Sequence, residues 1–175
     1  MKQFFAIFTL LSLVIAFSAC NKDYNSLEKM RENELAMLDE YMRTNFPEEE
    51  PLPSGLYYIE QIEGYGDSLI RPGDRVQIFY ATYTIDSVLV DESSGYTNGH
   101  RFEPLEFVVG AGSVISGLEE GVTYMKLGGV ASLVINSELG YGQNGSGSIG
   151  GFETLLMEVE VYKVYPFIIP EEDEE

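Results

Sequence analysis

The 175-residue chain has no tryptophan, one cysteine, one histidine and only 10 Lys+Arg against 29 Asp+Glu, a formal charge of −19. Each shortage removes a class of chemistry. A single cysteine excludes an intramolecular disulfide, a thiolate zinc cluster and a CxxC redox pair. A single histidine excludes His-rich metal sites and confines any Ser/His/Asp triad to His100, whose polar surroundings read as a solvated loop rather than a catalytic base. The acidic surplus repels nucleic-acid phosphates and anionic lipid head groups, so neither binding mode has electrostatic support. No GxGxxG follows a predicted strand, and no GxxxxGK[ST] or HExxH occurs, which removes the common nucleotide and metalloprotease signatures. No cofactor and no metal is expected. What the chain does have is 45% apolar and 13% aromatic residues, enough to bury a sizeable core and to leave the charge as solvated surface.

Met1-Lys2-Gln3 gives a short positive start, and residues 4–17 form an apolar run of 14 residues, short of the ~20 needed to span a bilayer. Ser18-Ala19 then precede the sole cysteine, Cys20, and polar residues follow. This pattern resembles a bacterial lipobox, although Phe17 stands where an aliphatic residue is usual. The resemblance implies a signal peptide over residues 1–19 and a diacylated Cys20 as the mature N-terminus. Such a Cys anchors a protein without a membrane span, since each buried methylene contributes ~0.8 kcal/mol. The expected place is outside the inner membrane, with the outer membrane, on its periplasmic side or at the cell surface, favoured because Asn21 rather than Asp directly follows Cys20.

Residues 20–53 divide into a polar tether, a helix and a stiff linker. Leu27, Met30, Leu38 and Tyr41 recur at near-helical spacing, widened by Leu35 and Met42, with Asn25 or Ser26 as caps. The helix should stop before Pro47, because a residue preceding proline avoids the α region. Its apolar stripe needs a cover, either its own domain or a second copy in a homodimer paired through residues 27–44. Pro47 to Pro53 carries three prolines and three glutamates and cannot pair as a strand.

From residue 54 the period changes to two. Residues 55–63, 74–86, 105–109, 129–135 and 153–164 are predicted strands, rich in Val, Ile, Tyr and Phe and divided by Gly-containing turns. Residues 113–126 have helical spacing at Val114, Leu118, Val122 and Met125, with Ser113 or Ser116 as caps. Several antiparallel strands and one short helix make an α+β domain over residues 54–165. The acidic run at 171–175 ends a tail, residues 166–175, that reads as disordered.

Four sequence pieces occur in one order: GD-x-V-x-x-x-Y at 73–80, VI-x-G-x-x-EGV at 114–122, the pair Met125 and Gly128, and GYG at 140–142. Together they resemble an FKBP-type peptidyl-prolyl cis-trans isomerase domain. The resemblance implies a curved antiparallel sheet wrapped around the short helix, and an apolar pocket that takes the prolyl ring of a proline-containing polypeptide. Carried over residue by residue, it implies a pocket of Tyr80, Val90, Asp91, Leu105, Phe107, Val114, Ile115, Leu118, Tyr141, Ile149 and Met157. Leu118 would be the floor, Ile115 would offer its backbone N–H and Tyr141 its hydroxyl to substrate, and Asp91 would accept a hydrogen bond at the rim. Phe102-Glu103 is the alternative to Val90-Asp91 as the aromatic–acid pair.

Several positions depart from the family pattern. The floor is Leu118 where the best-known members carry Trp; Val90, Leu105 and Met157 fill aromatic positions; and Ile149-Gly150-Gly151 replaces Ile-Pro-Pro. Two functions of different class follow: a prolyl isomerase that assists folding of exported proteins, and a catalytically weak binding module or chaperone that holds extended segments in the same pocket.

Overall fold

The computed structural model describes residues 26–93, 96–99 and 103–168. Expectations about the apolar run 4–17, Cys20, Asn25, His100, Phe102 and the acidic run 171–175 fall outside the described residues. Strand periodicity builds one antiparallel sheet from β1 (Tyr57–Ile62), β2 (Arg75–Thr84), β3 (Leu89–Glu92), β4 (Leu105–Val108), β5 (Val130–Ile135) and β6 (Leu155–Tyr165). The order is β1-β5-β6-β2-β3, with β4 also paired to β2. β2 and β6 form its spine, paired from Arg75 opposite Tyr165 to Thr84 opposite Leu155 with a one-residue register shift between Gln77 and Ile78. The other edge of β2 is shared: β4 takes Arg75 to Ile78 and β3 takes Ala81 to Tyr83.

Alternate residues of each strand serve opposite faces. The inner face presents Val76 and Ile78 of β2, Ala131, Leu133 and Ile135 of β5, and Leu155, Met157, Val159 and Val161 of β6. Against it lies α2 (Ser116–Val122), with Leu118 and Val122 buried. The helix comes this close because it turns glycines to the sheet. A Cβ on Gly117 would sit 2.6 Å from Ile135 Cγ2, and one on Gly121 2.5 Å from Leu133 Cδ1.

α2 is shorter than the predicted 113–126, for reasons visible at both ends. Ile115 is extended (φ −62°, ψ 144°) and acts as N-cap without a side-chain cap bond, so Ser113 and Ser116 do not serve as caps. Ser116 Oγ instead donates to Leu139 O at 3.1 Å. After Val122 the amides of Thr123, Tyr124 and Met125 bond carbonyls three residues back, the tighter pitch at which α-helices commonly end. Strand β3 was not among the predicted strands; its four residues carry no clear alternation.

A helix over residues 26–45, α1, covers the outer face. Leu38 and Met42 pack on Ile59 and Val134, with Tyr41, Phe46, Tyr57 and Leu156 around them. Only the second half of the predicted stripe is used in this way. Leu27, Met30 and Leu35 are exposed, whereas Glu34 is buried at 4% exposure. The first half of the helix overlies polar loop ends instead of the sheet: Glu34 accepts hydrogen bonds from Ser137 and Thr154.

Gly121→Ala tests the helix–sheet contact. Alanine gains up to ~1 kcal/mol of helix propensity over glycine, but overpacking against Leu133 costs about 1–3 kcal/mol. The expected outcome is a lower urea midpoint with an unchanged m-value.

Candidate active site

A cavity of about 140 Å³ opens between the inner face of the sheet and the N-terminal end of α2, lined by Tyr80, Thr82, Asp91, Leu105, Ser113, Val114, Ile115, Leu118, Tyr141, Ile149, Leu155 and Met157. Nine of the eleven residues expected in the pocket are therefore brought together, from four strands, one helix and two loops. Larger hollows of about 280 and 670 Å³ lie alongside α1 on the outer side. Neither is lined by Tyr80, Asp91, Ile115, Leu118 or Tyr141.

Tyr80 reaches the cavity from β2, and its hydroxyl donates to Asp91 Oδ2 at 2.8 Å. Ser93 fixes the strand behind it: Tyr80 N donates to Ser93 Oγ at 3.0 Å and Ser93 N to Tyr80 O at 3.0 Å. Asp91 stands opposite Thr82 while Leu89 stands opposite Tyr83, so Val90 is the extra residue of a bulge. Val90 is thus outside the cavity, a correction to the sequence expectation. The bulge interrupts the strand's alternation here, and of the two residues it is Asp91 that lines the cavity.

Phe107 is the second correction. It pairs with Val76, at the far end of β2 from Tyr80, and is 5% exposed within the core. Leu105, two residues earlier and opposite Ile78, is the side chain of β4 that reaches the cavity. Thr82, Ser113 and Leu155 were missed. Period two could have found Thr82 from Tyr80 and Leu155 from Met157, and Ser113 adjoins Val114.

Leu118, 1% exposed, forms the floor. Ile115 O accepts from Leu118 N and Glu119 N, whereas Ile115 N–H has no hydrogen-bond partner among the described residues. Glu119 Oε1 accepts from Gly112 N at 2.8 Å and ties down the loop that delivers Ser113 and Val114. Tyr141 and Ile149 come from the loop between β5 and β6. Gly140 N and Gly142 N both donate to Ser137 O, at 3.1 and 2.8 Å, and so hold Tyr141 from either side. A tight turn pairs Ser146 with Ile149. The Tyr141 hydroxyl has no hydrogen-bond partner among the described residues.

Among the described residues the cavity wall holds one carboxylate, Asp91, and no basic side chain. Burial, the hydrogen bond to Asp91, the charge of Asp91 and neighbouring Tyr141 all raise the Tyr80 phenol far above its ordinary value, so it stays protonated. Among the described residues no cluster of three His, Cys, Asp or Glu side chains could hold a metal ion. What the site offers is an apolar floor, a free amide and hydroxyls.

The pH dependence follows from the phenols. Burial likewise pushes Tyr58 up to about 12. An unfolded tyrosine ionises near pH ~10, so above that pH the unfolded chain releases protons that the folded one retains, and stability falls as pH rises. Below pH ~10 this contribution is fully present. Urea midpoints measured across this alkaline range should decline in the parent, and Tyr80→Phe should reduce the slope.

Comparison with known proteins places these observations among relatives. The family model for FKBP-type peptidyl-prolyl cis-trans isomerase matches residues 66–162, more than half of the chain. An FK506-binding protein of Neisseria meningitidis serogroup B is 37% identical over 112 residues, covering 63% of this chain and 97% of the relative. The crystal structure of FkpA from Escherichia coli superposes with a TM-score of 0.66 at 32% identity, over 90% of this chain and 72% of that one. A peptidyl-prolyl cis-trans isomerase structure from Pseudomonas syringae gives 0.66 at 26% identity, over 80% and 96%.

Proposed function

The chain belongs to the FKBP-type peptidyl-prolyl cis-trans isomerase family of enzymes, and from that premise we propose that it isomerises X–Pro bonds of exported proteins by desolvation in the Leu118-floored cavity. The observation that carries this reading is the pairing of an apolar floor with an unpartnered Ile115 N–H and Tyr141 hydroxyl. Amide resonance sets a rotation barrier of ~18–20 kcal/mol, and unaided X–Pro isomerisation takes tens of seconds. Water on the amide oxygen favours the planar, charge-separated form. A prolyl ring seated on Leu118, between Leu105, Val114, Ile149 and Met157, leaves that water behind. The Ile115 amide donates to a carbonyl of the substrate, and the Tyr141 hydroxyl donates to a neighbouring one. Both contacts favour the twisted arrangement when they strengthen there. Asp91 holds Tyr80 rather than the substrate. No proton leaves any group, which suits a site whose buried phenol resists ionisation.

A second reading rests on the cavity rim. Glycines at 142, 145, 147, 150 and 151 adapt to a chain but do not preorganise it, which suits a binding module or chaperone for extended segments. Tyr141→Phe separates the two. The enzyme reading expects a several-fold drop in the catalysed relaxation of X–Pro peptides with peptide binding unchanged, whereas the module reading expects neither to move. A parent rate equal to the uncatalysed one for every residue tried before proline would remove the enzyme reading.

The proposal extends to place and assembly. Cys20 is the lipid attachment point, and the acidic domain is repelled from anionic head groups; among the described residues no helix is long and apolar enough to cross a membrane. Leu27, Met30, Leu35 and Met37 are the exposed apolar side chains of α1 left for pairing with a second copy. Cys20→Ser should move the folded protein from salt-washed membranes to the soluble fraction, where a sedimentation mass of two chains is expected. Retention on membranes would point to the uncleaved 4–17 segment, and a one-chain mass would reject the pairing.

A further inference from the structure

Glu34 is a carboxylate in an unusual place: it projects from α1 on the outer side of the sheet, yet it is 4% exposed. Burying an ionised carboxylate is costly unless hydrogen bonds replace its water. Here they do. Oε1 accepts from Ser137 N at 2.6 Å and from Thr154 Oγ1 at 3.1 Å, and Oε2 accepts from Ser137 Oγ at 2.6 Å and from Arg31 at 2.6 Å. Burial raises its pKa, but the bonds from Ser137 and Arg31 outweigh burial and the net shift is downward, so the group is held as a charged acceptor. Arg31 is in turn bonded to Ser137 Oγ at 3.1 Å and to Glu138 at 2.8 Å.

The partners are chosen by position in the chain. Ser137 follows the end of β5 at Ile135 by two residues, and Thr154 immediately precedes β6 at Leu155. They are the two feet of the loop that carries Tyr141 and Ile149 into the cavity, and both are almost fully buried, at 2% and 3% exposure. One side chain therefore joins both feet. From Ser137 the connection to the cavity is direct, because its carbonyl receives the amides on either side of Tyr141. The rest of the loop is rich in glycine and has no helix or strand of its own beyond the short 3-10 turn Ser137–Leu139, so its placement depends on its ends.

We infer that Glu34 is a positioning residue for the isomerase site: by bonding Ser137 and Thr154 together it sets the loop so that Tyr141 meets the substrate, and α1 is thereby part of the machinery as well as a cover for the sheet. The inference rests on the reading given under Proposed function, in which the Tyr141 hydroxyl contacts the substrate. Leu38, one turn further along the same helix, supplies the control. It docks α1 through apolar contact with Ile59 and Val134, and its side chain has no group that could hydrogen-bond either foot of the loop.

The experiment compares the full soluble chain, carrying Cys20→Ser, with the further variants Glu34→Ala, Glu34→Gln and Leu38→Ala. Two readouts are taken: amide hydrogen exchange over residues 138–152, and kcat and KM for an X–Pro peptide. Misplacement of a catalytic contact by about 1 Å can cost up to ~100-fold, so Glu34→Ala should lower kcat by about tenfold with little change in KM. Its loop amides should exchange about tenfold faster, as expected of a segment that opens locally. Glu34→Gln keeps one carbonyl acceptor and should recover part of both effects. Leu38→Ala should lower the unfolding midpoint while leaving kcat and loop exchange as in the parent. In a Tyr141→Phe background Glu34→Ala should cost little more, since both act through one hydroxyl. If Glu34→Ala does not fold, Thr154→Val, which removes one bond from one foot, is expected to give a smaller change of the same kind. Loop exchange equal to the parent in the Glu34 variants, or a fall in kcat reproduced by Leu38→Ala, would overturn the inference. A parent without catalysis would instead overturn the isomerase reading, and loop exchange would still decide whether Glu34 joins the two feet.

Discussion

The close approach of α2 to β5 is the contact on which the rest of the domain depends. Two glycines, Gly117 and Gly121, face Ile135 and Leu133 across a gap that admits no methyl group. That distance sets the depth of the cavity, because Leu118 lies beside Gly117 and becomes its floor. It also fixes Ile115, the residue that opens the helix, where its amide is left without a partner. A wider spacing would turn the floor into an ordinary core contact and leave the amide open to water.

The hydrogen-bonding network runs from the cavity wall to the loops and helix around it. Ser93 secures Tyr80, Asp91 takes its hydroxyl, Glu119 holds the loop before α2, and Glu34 joins the ends of the loop after β5. Among the described residues no buried side-chain polar atom lacks a partner. The groups left open, the Ile115 amide and the Tyr141 hydroxyl, are at the cavity, where a peptide could satisfy them. An arrangement of satisfied supports around unsatisfied contacts is what preorganisation requires.

Charge is distributed in keeping with this. The chain is strongly acidic, yet among the described residues Asp91 is the only carboxylate lining the cavity, and it is engaged by Tyr80. Of the other described acids, Glu34 and Asp74 are buried and hydrogen-bonded, while others form surface ion pairs such as Glu63 with Lys126 and Glu106 with Arg75. A carboxylate already engaged by a hydroxyl holds less water in the cavity than a free one would.

Local periodicity made five of the six strands, the helix positions and most of the cavity legible in the sequence, because period two and the spacing of Val114, Leu118 and Val122 dictate which side chains share a face. Family motifs in order supplied the site residues that periodicity alone would have left as core. Three features were decided only by tertiary structure. The bulge that turns Val90 away depends on the pairing of β3 with β2, and β3 has too little alternation to announce itself. The burial of Phe107 depends on its standing opposite Val76 rather than near Tyr80. The inward face of α1 depends on what lies beneath it: hydropathy marks Leu27, Met30 and Leu35, but the loop ends under the first turns of the helix are polar, so Glu34 is buried in their place. Side-chain type determines which surfaces seek cover, whereas the partner that covers them comes from residues a hundred positions away, and no local pattern carries that information.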